Sequence, residues 1–309
     1  MAERVDAGER GSSPADLRRP ADGSPADIVT SRDNKWLKKF RAALRGTGPA
    51  AGEPIGVEGP KLIEDAVRSG LETEALLVSD SGERELERIL RAAKESEAGI
   101  PRSRILRTTE KLFAGVAGTE TPQGVAALFR QPAWGFEDVL RGAPMPDGAL
   151  RGEPALVAVM AGVQDPGNAG TIVRSAEAFG ATGVVAARGT ADPWSPKALR
   201  ASAGSALRLP LLRGVAIPVL LAQLKMARVK IYAASAKPGD AAPIGQTSAD
   251  LREPAAIFIG SEGAGLPPEV LHTADAVISI PISPAVESLN AGVAASLVLY
   301  EASRQRRKE

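Results

Sequence analysis

Five short runs of almost entirely apolar residues constrain the fold of this chain more than any other feature. The runs are ALVAVMAG, GVVAAR, KIYAAS, AAIFIG and AVISIPI, all between residues 155 and 282. They lack the apolar–polar alternation of a strand with one solvated face, which predicts strands buried on both faces of a parallel sheet. Helical patterns separate or follow the runs, namely AGTIVRSAEAFG, AIPVLLAQLKMAR, PPEVLHTA and LNAGVAASLVLYEASRQ. This alternation predicts a doubly wound α/β domain over residues 154–309.

The first half of the chain divides into three parts by composition. Residues 1–28 consist mostly of small, polar and charged residues without periodicity and are predicted to be disordered. Residues 29–130 open with a basic amphipathic segment and continue with short strand and helix patterns, which predict a smaller α/β domain. Residues 131–153 are rich in Pro and Gly and are predicted to link the two domains.

Composition excludes several classes of site. The 309 residues carry 38 Lys and Arg against 37 Asp and Glu, so an anionic partner requires a local basic surface. The absence of Cys excludes thiolate and zinc–thiolate chemistry, and the single His272 excludes a multi-histidine metal site, so no metal is expected. No apolar run reaches the roughly 18 residues of a membrane span, and the N-terminus lacks a secretory pattern. We therefore expect a soluble, cytoplasmic protein.

The segment Thr30–Arg45 is predicted to be a basic amphipathic helix. Trp36, Leu37 and Phe40 fall on one face at helical spacing, and Lys and Arg residues cover the rest. Two interpretations are open, because such a surface is either a solvated charged face or a contact surface for phosphates. On the second interpretation, the cations that contact phosphate are Lys35, Lys38 and Lys39.

Polar, glycine-rich loops follow the predicted strands, and parallel strands place their carboxyl ends on one rim, where ligands bind. The most informative loop is VQDPGNAGTIVR, in which Asn168 is predicted to cap the next helix. Arg174 lies one turn beyond Gly170 and leans back toward Gly167, because helical side chains tilt toward the N-terminus. Arg174 is either an ordinary solvated side chain or a group that grips a phosphate at the strand ends.

Two further loops supply candidate site residues. Glu262 is a lone carboxylate among the glycines of GSEGAG, and it is either a solvated turn residue or a ligand-binding group. Ser288 and Asn290 precede the last predicted helix, where each is either a cap or a member of the same rim. The glycine spacing is not GxGxxG and no Walker A sequence occurs, so neither a nicotinamide nor a nucleoside triphosphate loop is indicated.

Together these loops resemble the SpoU/TrmH family of RNA ribose 2′-O-methyltransferases, within the SPOUT superfamily. Three motifs occur in the family's order: VQDPGNAGTIVRSAEAFGA, IFIGSEGAGL and ISIPISPAVESLNAGVAASLVLYE. The intervening SPKALRASAGSALRLP is also similar to the family. Residues 54–130 resemble, more loosely, its N-terminal substrate-binding domain through VEGPKLIEDAV and TPQGVAALF. The basic helix, with Ser31, Asn34 and Lys38, fits the family's usual opening.

The resemblance implies a deep trefoil knot in the C-terminal α/β domain, S-adenosylmethionine as the methyl donor, and a homodimer with active sites near its interface. The residues expected to contact the cofactor are Ala234, Ser235, Gly260, Glu262, Ile280 and Leu289. The residues expected to act in catalysis are Arg174, Asn168, Glu262, Ser288 and Asn290. Arg174 is expected to clamp a phosphate and polarise the hydroxyl, while the other four hold Arg174 and the ribose in place. RNA contacts are expected from Asn34, Lys35, Lys38, Lys39 and Arg174.

The resulting hypothesis is an RNA methyltransferase that modifies a ribose 2′-hydroxyl. An rRNA substrate, 23S rRNA in particular, is favoured because the N-terminal domain resembles that of rRNA-modifying members. One alternative is a tRNA ribose 2′-O-methyltransferase. A second, of a different class, is a non-catalytic RNA-binding factor in ribosome assembly, against which the five intact catalytic candidates argue. The sequence departs from the family pattern at Ala291 and Gly292, where larger or β-branched residues are frequent.

Overall fold

The computed structural model describes residues 27–96, 99–100, 104–142, 153–235, 242–243 and 249–307. Its contacts divide the chain into two compact units. The first unit comprises Met1–Arg45 and Gly56–Arg130, and the second comprises Gly46–Ile55 and Gln131–Glu309. None of the helices in the described ranges is long and apolar enough to cross a membrane.

The first unit is built on a five-stranded sheet with the strand order β1-β4-β3-β5-β2. The strands are β1 (Asp27–Val29), β2 (Ile55–Glu58), β3 (Thr73–Val78), β4 (Ile105–Thr108) and β5 (Val125–Phe129). β4 pairs in parallel with β1 and with β3, whereas β5 runs antiparallel to β3. The helices are α1 (Lys35–Arg45), α2 (Pro60–Arg68), α3 (Glu83–Glu95) and α4 (Glu110–Ala114).

Helix α1 forms over Lys35–Arg45, so it begins five residues later than the predicted Thr30–Arg45. Leu37, Phe40 and Leu44 are buried in one core cluster with residues of β1, β3, β4 and β5. Burial of each of these side chains contributes about 1.5–3 kcal/mol. Asn34 precedes the helix, and its Oδ1 accepts a hydrogen bond from the backbone N–H of Trp36 at 2.8 Å. Asn34 was expected to contact RNA, but here its side-chain oxygen caps the helix.

The second unit is built on a seven-stranded sheet with the order β10-β12-β9-β11-β6-β7-β8. Its strands are β6 (Leu156–Ala161), β7 (Gly183–Ala187), β8 (Leu211–Val215), β9 (Lys230–Ala234), β10 (Ala242–Pro243), β11 (Ala255–Gly260) and β12 (Ala276–Ser279). Every strand pair is parallel, which confirms the predicted sheet. Sequence reasoning missed β8 because LLRGV contains an Arg and a Gly and lies at the sheet edge, where burial is incomplete.

Seven helices of the second unit fall in the described ranges. They are α5 (Phe136–Arg141), α6 (Pro166–Ala178), α7 (Pro196–Ala201), α8 (Ser205–Arg208), α9 (Ile217–Met226), α10 (Pro268–Thr273) and α11 (Ala291–Arg306). One core cluster combines inward side chains of β6, β7, β9 and β11 with those of α9 and α10. Helix α6 packs instead between α7 and α11, and this packing positions the loop that precedes it.

Two predicted boundaries differ from the structure. The tail was expected to extend to residue 28, yet Asp27–Val29 pairs with β4; residues 1–26 lie outside the described part of the chain. The interval 131–153 was expected to be a linker, yet its described residues up to 142 include α5, which packs on β7. Val139 is fully buried there, because Gly183 lacks the Cβ that would overlap it.

The short segment Gly46–Ile55 also belongs to the second unit. Arg213 on β8 donates to the carbonyl of Pro49 at 2.6 Å, to the Asp192 carboxylate, and to Gln131 Oε1 at 2.7 Å. Its guanidinium lies 4.9 Å from the ring centroid of the buried Trp194. Arg213 is half-buried, and these acceptors replace part of its hydration, so its hydrogen bonds fix both segments through which the chain enters this unit.

Candidate active site

The loops predicted to meet at one rim begin at one edge of the sheet, because strand register brings their starting points together. Ala234 at the end of β9 is in register with Ile259 of β11 and with Ile278 of β12. Gly260, the last residue of β11, is in register with Ala161 of β6. The loops after β6, β9, β11 and β12 therefore leave the sheet at a common edge.

Three side chains from three of these loops form a continuous hydrogen-bonded network. Asn168 Nδ2 donates to Glu262 Oε1, and Asn290 Nδ2 donates to Asn168 Oδ1 at 2.9 Å. Asn290 Oδ1 accepts from the backbone N–H groups of Gly292 at 2.9 Å and Val293 at 3.2 Å. The helix cap thus fixes the orientation of the Asn290 amide, which in turn fixes Asn168 and directs its N–H toward the carboxylate.

Asn168 is free to join this network because another residue caps α6. Asp165 occupies the N-cap position, and its Oδ1 accepts from the backbone N–H of Asn168 at 2.9 Å. Asp165 Oδ2 accepts from Lys197 Nζ of α7 at 2.6 Å. The prediction that Asn168 caps the helix was wrong; the signal for Asp165 was its place directly before Pro166, since proline favours the first helical position.

The hydrogen bond from Lys197, with a smaller contribution from the backbone N–H of Asn168, holds the pKa of Asp165 below its ordinary value. Asp165 therefore stays ionised over a wide pH range while it supports the start of α6. Sequence reasoning identified neither Asp165 nor Lys197 as part of the site.

Close packing of α6 against α11 keeps Asn168 and Asn290 within reach of each other. A Cβ at Gly292 would come within 3.0 Å of the Thr171 side chain, so the small residue at this position allows the approach. One turn further along, the hydroxyls of Ser175 and Ser296 lie 2.7 Å apart. The glycine that departs from the family pattern is thus explained by helix packing.

Glu262 lies at the tip of a closed loop. Ser261 and Gly265 exchange two backbone hydrogen bonds of 3.1 Å, and Gly265 has a positive φ of 71°. A side chain at Gly260 would overlap the backbone of Gly265. Glycine is therefore required at residue 260 by the folding-back of the loop itself, while Glu262 is left exposed at the rim.

Arg174 is exposed on α6 and makes no hydrogen bond or ion pair with any residue that the structure describes. The predicted supports Asn168, Glu262 and Asn290 bond to one another and not to Arg174. Ser288 is exposed and likewise makes no hydrogen bond within the described ranges. Gly170, one turn before Arg174, packs against the backbone and side chains of α7.

The residues expected to bind the cofactor lie along the same rim. Five of the six are half-buried and carry no charge, whereas the sixth, Glu262, is exposed and acidic; the five are Ala234, Ser235, Gly260, Ile280 and Leu289. The backbone N–H of Ser235 donates to the carbonyl of Ile278 at 2.9 Å, which joins the ends of β9 and β12. Neutral, partly apolar strand ends next to the Glu262 carboxylate fit an adenosine group that carries a cationic sulfonium. Among the described residues, no group of three or more acidic or histidine side chains is arranged to hold a metal ion.

Most of the candidate RNA contacts on α1 are already engaged. Lys38 lies 3.2 Å from the Asp33 carboxylate, and Lys39 lies 2.6 Å from Glu74. Lys35 is exposed and has no such partner among the described residues. The sequence did not reveal that Glu74 neutralises Lys39, because the two residues are 35 positions apart.

Arg41 and Arg45 are also committed within the first unit. Arg45 Nε donates to the carbonyl of Ala117 at 2.9 Å, and Arg41 Nε donates to the carbonyl of Gly115 at 3.3 Å. These two cations attach α1 to the loop after α4 and leave fewer guanidinium N–H groups for a partner.

Two family models match different parts of the chain. Residues 155–300 match the SpoU rRNA Methylase family, and residues 54–127 match the MRM3-like substrate binding domain. Each match coincides with one of the two α/β units.

The chain is also similar to named proteins and solved structures. It is 33% identical over 244 residues to the 23S rRNA (guanosine(2553)-2′-O)-methyltransferase RlmP of Bacillus subtilis. The aligned region covers 79% of this chain and 86% of that protein. The rRNA methyltransferase from Sinorhizobium meliloti superposes with a TM-score of 0.74 at 27% identity, covering 92% of this chain and 99% of that one. The SpoU methyltransferase AviRb from Streptomyces viridochromogenes, in complex with the cofactor AdoMet, superposes with a TM-score of 0.70 at 28% identity. This match covers 88% of this chain and 98% of that one.

Proposed function

Because this chain belongs to the SpoU rRNA methylase family and is an S-adenosylmethionine-dependent RNA methyltransferase, we propose that it methylates a ribose 2′-hydroxyl in 23S rRNA. The observation that carries the proposal is the Asn168–Glu262–Asn290 network at the carboxyl ends of the parallel strands. It unites three sequence motifs, from three separate loops, at the edge of the sheet where α/β proteins bind their ligands.

The residues of this chain account for the chemistry mainly through positioning. When bound, S-adenosylmethionine supplies an activated methyl group, and transfer to a hydroxyl requires in-line alignment more than covalent assistance. The network would hold the ribose at the rim, with Ser288 beside it. The Arg174 guanidinium would donate hydrogen bonds to a phosphate of the RNA strand and polarise the neighbouring 2′-hydroxyl.

We assign the cofactor to the neutral strand ends at Ala234, Ser235, Gly260, Ile280 and Leu289. Glu262 lies next to them and would favour a cationic ligand there by simple charge attraction. A trefoil knot would form this pocket. The path of the chain supports it, because β12 pairs with β9, whereas the next element, α11, packs on α6 and reaches β11.

An rRNA substrate is favoured over tRNA because residues 54–127 match a substrate-binding domain model, and the similar protein RlmP is named for a 23S rRNA nucleotide. The deciding experiment supplies the purified protein with methyl-labelled S-adenosylmethionine and, in parallel, 23S rRNA, 16S rRNA and total tRNA. Label should enter 23S rRNA and survive in an alkali-resistant dinucleotide, as a 2′-O-methyl group requires. Label confined to tRNA would establish the alternative substrate, and the absence of transfer to any RNA would favour a non-catalytic binding role.

We also propose a homodimer that associates through α11. Val293, Leu297 and Tyr300 form an exposed apolar stripe at helical spacing on this helix, and Tyr300 meets Phe179 edge-on at 5.7 Å. Such a stripe is typical of a self-complementary interface. Light scattering at micromolar concentration should report twice the 32.0 kDa of the single chain, and Leu297→Glu should reduce it to a monomer.

A further inference from the structure

The segment SPKALR on α7 carries two cations that the reaction described above does not use. Lys197 and Arg200 are one helical turn apart, and both are exposed. Lys197 is committed to Asp165, with its Nζ 2.6 Å from the carboxylate. Arg200, by contrast, makes no hydrogen bond or ion pair within the part of the chain that the structure describes.

The packing of α7 on α6 places Arg200 on the helix that adjoins the helix of Arg174. Lys197 ties the start of α7 to the start of α6, and one turn later a Cβ at Gly170 would lie 2.6 Å from Ala201. Arg174 follows Gly170 by one turn on the same face of α6, and helical side chains lean back toward the N-terminus. Arg174 and Arg200 therefore lie exposed on two helices that pack directly against each other.

No nearby carboxylate of α6 is left to compensate these two guanidinium groups. Asp165 is paired with Lys197, and Glu177 is bonded to Arg208 through both carboxylate oxygens at 2.7 Å. Two uncompensated like charges on adjoining helices repel each other. An anion at this helix contact would relieve this repulsion, and guanidinium groups bind phosphate oxygens in a two-pronged geometry.

We propose that Arg200 binds a second phosphate of the RNA strand, adjacent to the phosphate held by Arg174. The inference rests on the proposed function for the position of the strand. It assigns the segment SPKALR two tasks within one turn of helix. Lys197 fixes α7 to the loop that holds Asn168, and Arg200 contacts the substrate.

The test compares Arg200→Ala with Lys225→Ala in RNA-binding titrations over a range of salt concentrations, with a 23S rRNA fragment as the probe. Lys225 is a matched control, because it is exposed on α9 and has no ion pair among the described residues. Arg200→Ala should weaken binding about tenfold, as expected for a charge-assisted hydrogen bond. It should also lower the salt slope by about 0.7–0.9, the value for one lost phosphate contact. Lys225→Ala should change neither quantity.

Two further measurements separate substrate contact from damage to the fold. Affinity for S-adenosylmethionine and the thermal midpoint should be unchanged in Arg200→Ala, since the side chain bonds to no residue in the described ranges. Arg200→Lys should regain the salt slope but only part of the affinity, because an ammonium group lacks the two-pronged geometry. A parental salt slope in Arg200→Ala overturns the inference while leaving the proposed function intact. A parent protein that neither binds nor methylates 23S rRNA overturns the proposed function instead.

Discussion

Helix α1 and the strand-end loops of the second unit both look functional in the sequence, but the structure treats their polar residues differently. In α1, Lys38, Lys39 and Arg45 are engaged by carboxylates or carbonyl groups of the same unit. At the strand ends, Asn168 and Asn290 are hydrogen-bonded to each other, and the Glu262 carboxylate at the end of the network is exposed.

The difference shows which sequence patterns predict a functional surface in the folded protein. Parallel strands deliver their carboxyl ends to one edge whatever the details of the loops, so polar residues after several strands converge by topology. A run of cations in the sequence does not predict a free basic surface, because the groups that pair with the cations come from distant parts of the chain. Ion pairs at an exposed surface each contribute little to stability, but they reduce the charge available to a partner.

The largest effect is expected from Arg174, the cation on the strand-end side of this comparison that has no partner among the described residues. Arg174→Ala should lower kcat by about 10²–10³-fold, in the range for loss of one preorganised donor. Affinity for S-adenosylmethionine should stay within a few-fold, because the side chain bonds to none of the candidate cofactor residues. Single-turnover methylation and calorimetric cofactor binding measure the two quantities. Undiminished turnover would remove Arg174 from the mechanism.

A smaller effect should distinguish Lys35 from Lys39 on α1. Lys35→Ala removes an uncompensated charge and should lower the salt slope of RNA binding by about 0.7–0.9. Lys39→Ala removes a charge already matched by Glu74 and should leave the slope nearly unchanged. Salt titrations of both variants and of the triple Ala variant at Lys35, Lys38 and Lys39 provide the comparison. A loss of two units in the triple variant would mean that the ion pairs open when RNA binds.

The smallest effect concerns acid stability at the start of α6. The pKa of Asp165 is lowered in the folded state, chiefly by Lys197. The pair therefore stabilises the fold at pH values above about 4, where Asp165 is ionised in both states, and this contribution is lost as pH falls through the folded-state pKa. Lys197→Ala should be less stable than the parent by under about 1 kcal/mol at pH 7. Urea unfolding from pH 7 to pH 3 should show the two proteins converging; a constant difference would contradict the assignment.

Much of the second unit could be predicted because its strands are buried on both faces and are therefore apolar throughout. The edge strand β8 could not, since an edge does not require continuous burial. The interval 131–142 also escaped prediction. Its Pro and Gly content indicates a linker. The burial of Val139 depends on its packing against Gly183, which is 44 residues away and has no side chain to block it.

The site was predictable as a set of residues but not as a set of bonds. Motif order identifies Asn168, Glu262 and Asn290, yet the direction of each hydrogen bond depends on which residue caps which helix. Asp165 takes the cap of α6 and so releases Asn168. That exchange between neighbouring residues depends on backbone geometry, which composition and spacing do not specify.

The double role of Asn290 has a consequence for how sequence variation at this position would be detected. Serine or aspartate in its place retains a side-chain oxygen for the start of α11, so the variant chain should fold and accumulate normally. An aspartate carboxylate has no hydrogen to donate to Asn168, and the serine hydroxyl sits on a shorter side chain, so the bond that orients the Asn168 amide toward Glu262 would be lost. A screen for stability or expression would score such a substitution as silent, and only an assay of methyl transfer would expose the loss.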